Sequence, residues 1–420
     1  MREFSLESYD YALDPELIAK YPATPKESAK LLVYERASGR ITHSTFANLF
    51  DFIPRDYLLV FNDTKVIKAR IHGRKASGGQ IEILLHKRIE SEGANSREYG
   101  GSGGEGANSG GSGESRADRE SCGARFLVQI RGKVKVGEVI YLESSFSARV
   151  MEMLENGYRV VEFFEGERGL FEVFGMLDSI GHVPLPPYIK RADEALDMQE
   201  YQSVFAKNYG AIAAPTASLH FSDAMFDFAT KHYENLFLTL HVGAGTFVGV
   251  ESEDIRAHQI HSEMLLASKE AICQIQKSQK LLCVGTTAMR SVEFLARLGR
   301  GENGVQDSGA RNDSAGEILR AVRQSERGQI GGYEMGDGAR GGILEKNSDG
   351  GYCGECDIFL HIGNPPIKTS ALLTNFHLPK STLIMLVASL VGLDTCMELY
   401  REAIARGYRF YSYGDGMLIL

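Results

Sequence analysis

Apolar positions divide the chain into two regimes. Between residues 58 and 163 they fall in short runs or alternate with polar ones. The stretches are Leu58–Phe61, Val66–His72, Gln80–Lys87, Arg125–Arg131, Glu138–Leu142, Ala148–Leu154 and Tyr158–Phe164. Short strands in series predict a small β-barrel. From Gly169 onward, helical periods alternate with strands. Helices are predicted near 169–179, 198–207, 223–233, 268–279, 287–297, 380–391 and 395–406, and strands at 236–241, 259–266, 281–285, 357–362, 371–375 and 416–420. The expected fold is an α/β layered main domain, residues 1–68 and 166–420, with a small inserted β-barrel domain at 69–165.

Two segments break this pattern. Residues 89–124 and 299–352 hold 24 of the 46 glycines, and the first repeats Gly-Ala-Asn-Ser at 93–96 and 106–109. Such stretches bury too little apolar surface to offset the entropy of ordering, so both read as flexible low-complexity insertions in surface loops. The second contains one helical fragment near Ala315–Gln324.

A length of 420 residues suffices for two domains, and 43% hydrophobic residues mark a globular chain. No apolar run has the roughly 18 residues of a membrane span, and the first residues lack a secretory signal, which points to a cytoplasmic protein with no membrane partner. The six cysteines show no framework spacing, consistent with a reducing compartment. A net charge of −9 argues at first against a nucleic-acid partner. Residues 89–124 carry seven acidic and three basic side chains, and residues 299–352 carry nine and seven, so the insertions account for −6. The remainder is near −3, which leaves room for a local basic face.

Four motifs carry possible chemistry. In His241-Val242-Gly243-Ala244-Gly245-Thr246-Phe247, the glycines let backbone approach a ligand. The β-branched and aromatic residues that follow do not open a helix, which disfavours a dinucleotide fold. Ala213–Phe221 combines small residues, the turn-setting Pro215, Thr216 and His220, a possible acid or base or a satisfied structural histidine. In Val284-Gly285-Thr286-Thr287, a strand runs into a helix that Thr286 or Thr287 would cap, and the first-turn amides suit a carboxylate or phosphate. Thr374–Thr382 places Asn375 and His377 after a strand, where open α/β sheets bind ligands; a capped loop without ligand is the alternative.

Two metal-like patterns are weak. If His258–Glu263 is a strand, His261 and Glu263 share a face and His258 opposes them. Cys353-Gly354-Glu355-Cys356 is a lone C-x-x-C without a second pair. No metal is expected.

Together, and in this order, the motifs resemble the S-adenosylmethionine:tRNA ribosyltransferase-isomerases of queuosine biosynthesis. The resemblance also rests on Tyr11–Ala19, Leu58–Ile67, Ile180–Ile189, His261-Ser262-Glu263 and Tyr408–Met417, and it spares only the two insertions. Lys65 stands where the family usually has arginine, and Ser218 where it has glycine. The resemblance implies an enzyme that transfers and isomerises the ribosyl moiety of S-adenosylmethionine onto 7-aminomethyl-7-deazaguanine at the tRNA wobble position. Epoxyqueuosine-tRNA is formed and adenine and methionine are released. S-adenosylmethionine is then a consumed substrate, no cofactor is needed, and a monomer is expected.

On this reading His220, His241 and His377 supply acid–base groups. Pro215, Thr216, Gly243, Gly245, Thr246, Thr286, Thr287 and Asn375 bind substrate, and Lys65, Lys68, Arg70, Arg74 and Lys75 bind the tRNA backbone. The basic stretch could equally be a solvated strand edge. Two other classes stay open: an S-adenosylmethionine-dependent RNA methyltransferase and a non-catalytic RNA-binding protein.

Overall fold

A computed structural model describes residues 2–89, 124–154, 157–170, 173–247, 249–300 and 351–420. The fragment at 315–324 and most of both insertions lie outside these residues. The chain divides into two units: Ile67–Pro184, and Met1–Val66 together with the chain from Leu185 onward.

The strands in chain order begin with β1 (Lys30–Glu35), β2 (Arg40–Thr45), β3 (Leu58–Asn62) and β4 (Thr64–Val66). The second unit contains β5 (Arg70–Lys75), β6 (Gln80–Ile89), β7 (Arg125–Arg131), β8 (Val139–Leu142), β9 (Phe146–Met153), β10 (Tyr158–Glu165) and β11 (Arg168–Gly169). It closes as a barrel in the order β10-β7-β6-β5-β8-β9, with β9 returning to β10. Alternate residues such as Ile71, Ile83, Val128, Ile140, Ala148, Val150 and Val161 fill it. A Cβ at Gly73 would come within 2.8 Å of the Ile140 and Leu142 side chains, so no larger residue fits there without a shift. Helix α1 (Val173–Ile180) belongs to this unit, which runs to Pro184, past the expected boundary at residue 165.

The larger unit continues with β12 (Asn208–Ala211), α2 (Asp223–His232), β13 (Asn235–Leu240), β14 (Glu263–Ala267), α3 (Lys269–Lys277), β15 (Leu281–Val284) and α4 (Thr286–Arg300). After the second insertion come β16 (Tyr352–Cys356), β17 (Ala371–Asn375), α5 (Thr382–Val391), α6 (Leu393–Ala405) and β18 (Gly416–Ile419). Its nine-stranded sheet has the order β16-β14-β13-β3-β15-β17-β18-β1-β2. The central strands β13, β3, β15 and β17 are mutually parallel, so their carboxyl ends lie along one edge.

These strands are nearly continuous apolar runs because both faces are covered. Leu58, Val60, Leu281, Cys283, Leu372 and Met417 join one core with α3, α4, α5 and α6. Leu59, Phe61, Leu282, Val284, Leu373 and Leu418 join another with Met225 and Ala229 of α2. The α/β layers and the small barrel are thus as expected.

Several expected elements shift. The strand expected over 66–72 is split: β4 pairs with β12 and β5 with β6 and β8. The helix expected over 198–207 is only the turn Asp197–Glu200. Its continuation is diverted because Gln202 accepts from Val66 N (3.0 Å) and donates to Val66 O (2.8 Å). The strand expected over 259–266 starts at Glu263, so alternation does not govern His258 and His261. The strand expected over 357–362 forms earlier, as β16, which pairs with β14. That register puts Cys353 and Cys356 on opposite faces of the strand. The hairpin β1–β2 was not foreseen.

Among the described residues, no single helix is long and apolar enough to cross a membrane.

Candidate active site

The carboxyl ends of the parallel strands carry the polar motifs, as expected for ligand binding in an open α/β sheet. Asn62 ends β3, His241 follows β13, Gly285 follows β15 and Asn375 ends β17. Asn62 ties three of these ends together. It donates to Leu240 O (3.0 Å) and Thr287 Oγ1 (3.2 Å), and accepts from Leu240 N (3.0 Å) and Thr64 N (3.2 Å).

A cleft of about 730 Å³ opens above this edge. Pro215, Thr216, Thr286, Thr287, Asn375 and His377 line it, so six residues singled out in the sequence converge. Tyr188, Tyr411, Ser412 and Arg290 also line it and were missed. Arg290 could have been found, because it sits four and three residues beyond Thr286 and Thr287 on one helix face. The two tyrosines lie in the stretches Ile180–Ile189 and Tyr408–Met417 that carry the resemblance, but nothing in their residue pattern assigns them to a site.

Gly285, at φ +96, turns the chain from β15 into α4, a conformation open to glycine. Thr286 is already helical, so neither threonine is the capping residue; both lie in the first turn. Their neighbourhood presents amides that lack a preceding helical carbonyl, a setting for an anionic group.

The three histidines differ. His377 lines the cleft, with Nε2 2.7 Å from Thr374 Oγ1, its backbone N–H donating to Tyr400 Oη (2.9 Å) and its backbone carbonyl accepting from Tyr11. Burial pushes its pKa down to about 3. His220 ends the 3-10 turn Thr216–His220, does not line the cleft, and places Nε2 3.2 Å from Asn375 Nδ2. Burial, then Arg409 and Lys26, lowers its pKa to about 3. His241 also lies off the cleft, with Nδ1 2.8 Å from Thr64 Oγ1; burial lowers its pKa and Asp63 opposes the shift. Gly210 packs on its ring, where a Cβ would come within 2.8 Å. All three rings are therefore neutral at pH 7.

Gly243 and Gly245 do not line the cleft. Gly245 borders a neighbouring cavity of about 390 Å³ with His258, His261, Glu263, Arg290 and Leu383. Contrary to the strand expectation, His258 and His261 share this wall with Glu263, because both precede β14. Arg290 and Leu383 line both spaces. Gly243 N donates to Glu263 Oε1 (2.9 Å), and Glu263 pairs with Arg290, so the glycine loop is fastened to the cleft wall. The loop enters the short 3-10 turn Ala244–Phe247 rather than an α-helix, as expected. The side chain of Thr246 lies outside the described residues.

Of the basic stretch, Lys65 Nζ sits 4.4 Å from the Tyr209 ring centroid. In the barrel unit, Lys68 Nζ donates to Asp178 O (2.8 Å), Arg70 Nε lies 3.7 Å from Glu82, and Lys75 Nζ lies 3.3 Å from Glu138. Arg74 is exposed.

A family model described as queuosine biosynthesis protein matches residues 6–419. The S-adenosylmethionine:tRNA ribosyltransferase-isomerase of Helicobacter pylori (strain ATCC 700392 / 26695) is 45% identical over 425 residues, covering 100% of both chains. That of Campylobacter jejuni subsp. jejuni serotype O:23/36 (strain 81-176) is 44% identical over 421 residues, covering 100% of this chain and 99% of its own. A crystal structure of S-adenosylmethionine tRNA ribosyltransferase from Thermotoga maritima is 26% identical, with a TM-score of 0.45, covering 98% of this chain and 100% of that one. The chain belongs to the queuosine biosynthesis protein family.

Proposed function

We propose that this chain is an S-adenosylmethionine:tRNA ribosyltransferase-isomerase. It moves the ribosyl moiety of S-adenosylmethionine onto 7-aminomethyl-7-deazaguanine at the wobble position and rearranges it to the epoxide of epoxyqueuosine. Adenine and methionine leave. The observation that carries this reading is the cleft at the carboxyl ends of the parallel strands, joined to full-length likeness to relatives named for that reaction.

The sulfonium acidifies the adjacent 5′ carbon, so the reaction can begin with removal of a proton there. Adenine must gain a proton as it departs, and fixed dipoles must meet the developing charge. Tyr188 and Tyr411, whose rings stand 4.8 Å apart at the cleft, offer aromatic surface for a purine. The first turn of α4, at Thr286 and Thr287, suits the methionyl carboxylate. His377, neutral and at the cleft wall, is the imidazole best placed to exchange a proton with the ligand. The Gly243–Gly245 loop, which His241 opens, meets the neighbouring cavity at Gly245 and is fastened by Glu263. Lys65, Lys68, Arg70, Arg74 and Lys75 would contact tRNA phosphates. The reading needs neither metal nor redox cofactor, since S-adenosylmethionine is consumed, and it takes the enzyme to be a cytoplasmic monomer.

Methyl transfer is less favoured because the glycine loop does not open an α-helix. Incubation with S-adenosylmethionine and tRNA carrying the modified base decides the matter. Adenine and methionine are expected; S-adenosylhomocysteine would mean methyl transfer, and no turnover would favour a binding protein.

A further inference from the structure

The two amide atoms of Asn375, a residue 1% exposed at the cleft wall, have different surroundings. Nδ2 donates to Tyr411 O (3.3 Å) and lies 3.2 Å from His220 Nε2. Oδ1 is buried and has no hydrogen-bond partner. The Tyr411 carbonyl only accepts, so a flipped amide would set two acceptors against each other. With Nδ2 as the shared donor, His220 Nε2 must be the acceptor, which requires a neutral ring protonated on Nδ1.

The environment of His220 agrees. The ring is buried, stacks on Phe46 at 4.0 Å and 18°, and the charged groups bearing on it are the cations Arg409 and Lys26, which disfavour an imidazolium. A buried acceptor without a donor is unfavourable in the free protein, so a ligand that donates to it gains selectively.

We propose that His220 is a positioning residue: it locks the Asn375 amide so that Oδ1 accepts a hydrogen bond from the adenosyl group of the ligand. This rests on the cleft being the S-adenosylmethionine site. Two groups of the adenosyl moiety can donate, the exocyclic amine of adenine and the ribose hydroxyls. Both satisfy the same oxygen, and analogues tell them apart.

The first test needs no turnover. In ¹⁵N-histidine-labelled protein, with the His220 signals assigned by comparison with His220→Gln, Nε2 should remain unprotonated from about pH 5 to 9. A protonated Nε2, or a titration in that range, overturns the proposal. The second test uses variants in steady state. His220→Phe keeps the stack but removes the acceptor, and should raise KM for S-adenosylmethionine about tenfold with kcat within about threefold. His220→Gln, whose carbonyl can accept, should recover KM to within about threefold. A kcat loss of about a hundredfold in both, with an ionisation missing from the pH profile, would show a proton-transfer role instead.

In the third test, S-inosylhomocysteine should bind the wild type about tenfold more weakly than S-adenosylhomocysteine if the amine is the donor. The deoxyribose analogue should do so if a hydroxyl is. Equal binding of all three overturns the proposal. Absence of adenine release by the wild type would refute the reading of the cleft, while the ring spectrum would still decide the role of His220.

Discussion

Arg290 and Glu263 form a buried ion pair in the wall that separates the cleft from the neighbouring cavity. Arg290 also reaches Ile358 O (3.3 Å) and Cys356 O (3.4 Å), and Glu263 takes the amide of Gly243 (2.9 Å). The pair thereby joins α4, the approach to β17 and the glycine loop. Removing one partner leaves a charge buried without compensation. Glu263→Ala should cost roughly 3–5 kcal/mol in urea denaturation, and a Glu263→Met/Arg290→Met double variant should recover much of it. Equal and additive losses in the singles and the double would show that the pairing is not what holds this wall.

His220 and His377 couple stability to pH. Each folded pKa lies near 3 against an ordinary 6.5, so below pH 6.5 the unfolded chain binds more protons than the folded one. Their full contribution is present above pH 6.5 and is lost as pH falls toward 3. Lowering pH from 6.5 to 5 should remove about 1.6 kcal/mol per histidine. His377→Gln should flatten this part of the stability–pH curve, measured by denaturant titration at each pH; an unchanged slope would mean the ring is not held neutral.

Asn62 links the ends of β3 and β13 to Thr287. Asn62→Ala strands a buried amide and carbonyl at Leu240, at a cost of roughly 2–4 kcal/mol. It also frees Thr287, which should raise KM for S-adenosylmethionine. Asn62→Asp keeps the acceptor but loses both donors and buries a charge, so it should be no better than alanine. Aspartate restoring wild-type stability would contradict the bonding pattern.

The cations proposed to meet tRNA divide by what each already holds. Arg74 is exposed, whereas Lys68 and Lys75 donate to backbone carbonyls within the barrel unit. Arg74→Ala should weaken tRNA binding and lower the salt slope by about one. Lys68→Ala should lower the barrel's stability as well. An unchanged salt slope in Arg74→Ala would remove this strand from the tRNA footprint.

The barrel strands and the α/β alternation were legible in the sequence because one-sided and two-sided burial leave different apolar periods. Arg125–Arg131 and Ala371–Asn375 coincide with their expected ranges. Strand β16 was hidden because it borders a glycine-rich insertion and pairs at a sheet edge, where composition says little. The turn at Asp197 was misread as the start of a long helix because its end is set by Gln202 bonding to Val66, far away in the chain. The polar half of the cleft was visible as motifs. Tyr188 and Tyr411 reach it only through tertiary folding, and their rings stand 4.8 Å apart although 223 residues separate them.

In a ribosyltransferase-isomerase the ribose carbons of S-adenosylmethionine end in the wobble nucleoside. S-adenosylmethionine labelled with ¹³C throughout its ribose, incubated with tRNA carrying 7-aminomethyl-7-deazaguanine, tests it directly. Mass spectrometry of the digested tRNA should show all five labelled carbons in the wobble nucleoside, with unlabelled adenine and methionine released. A wobble nucleoside without label, or label recovered in S-adenosylhomocysteine, would contradict it.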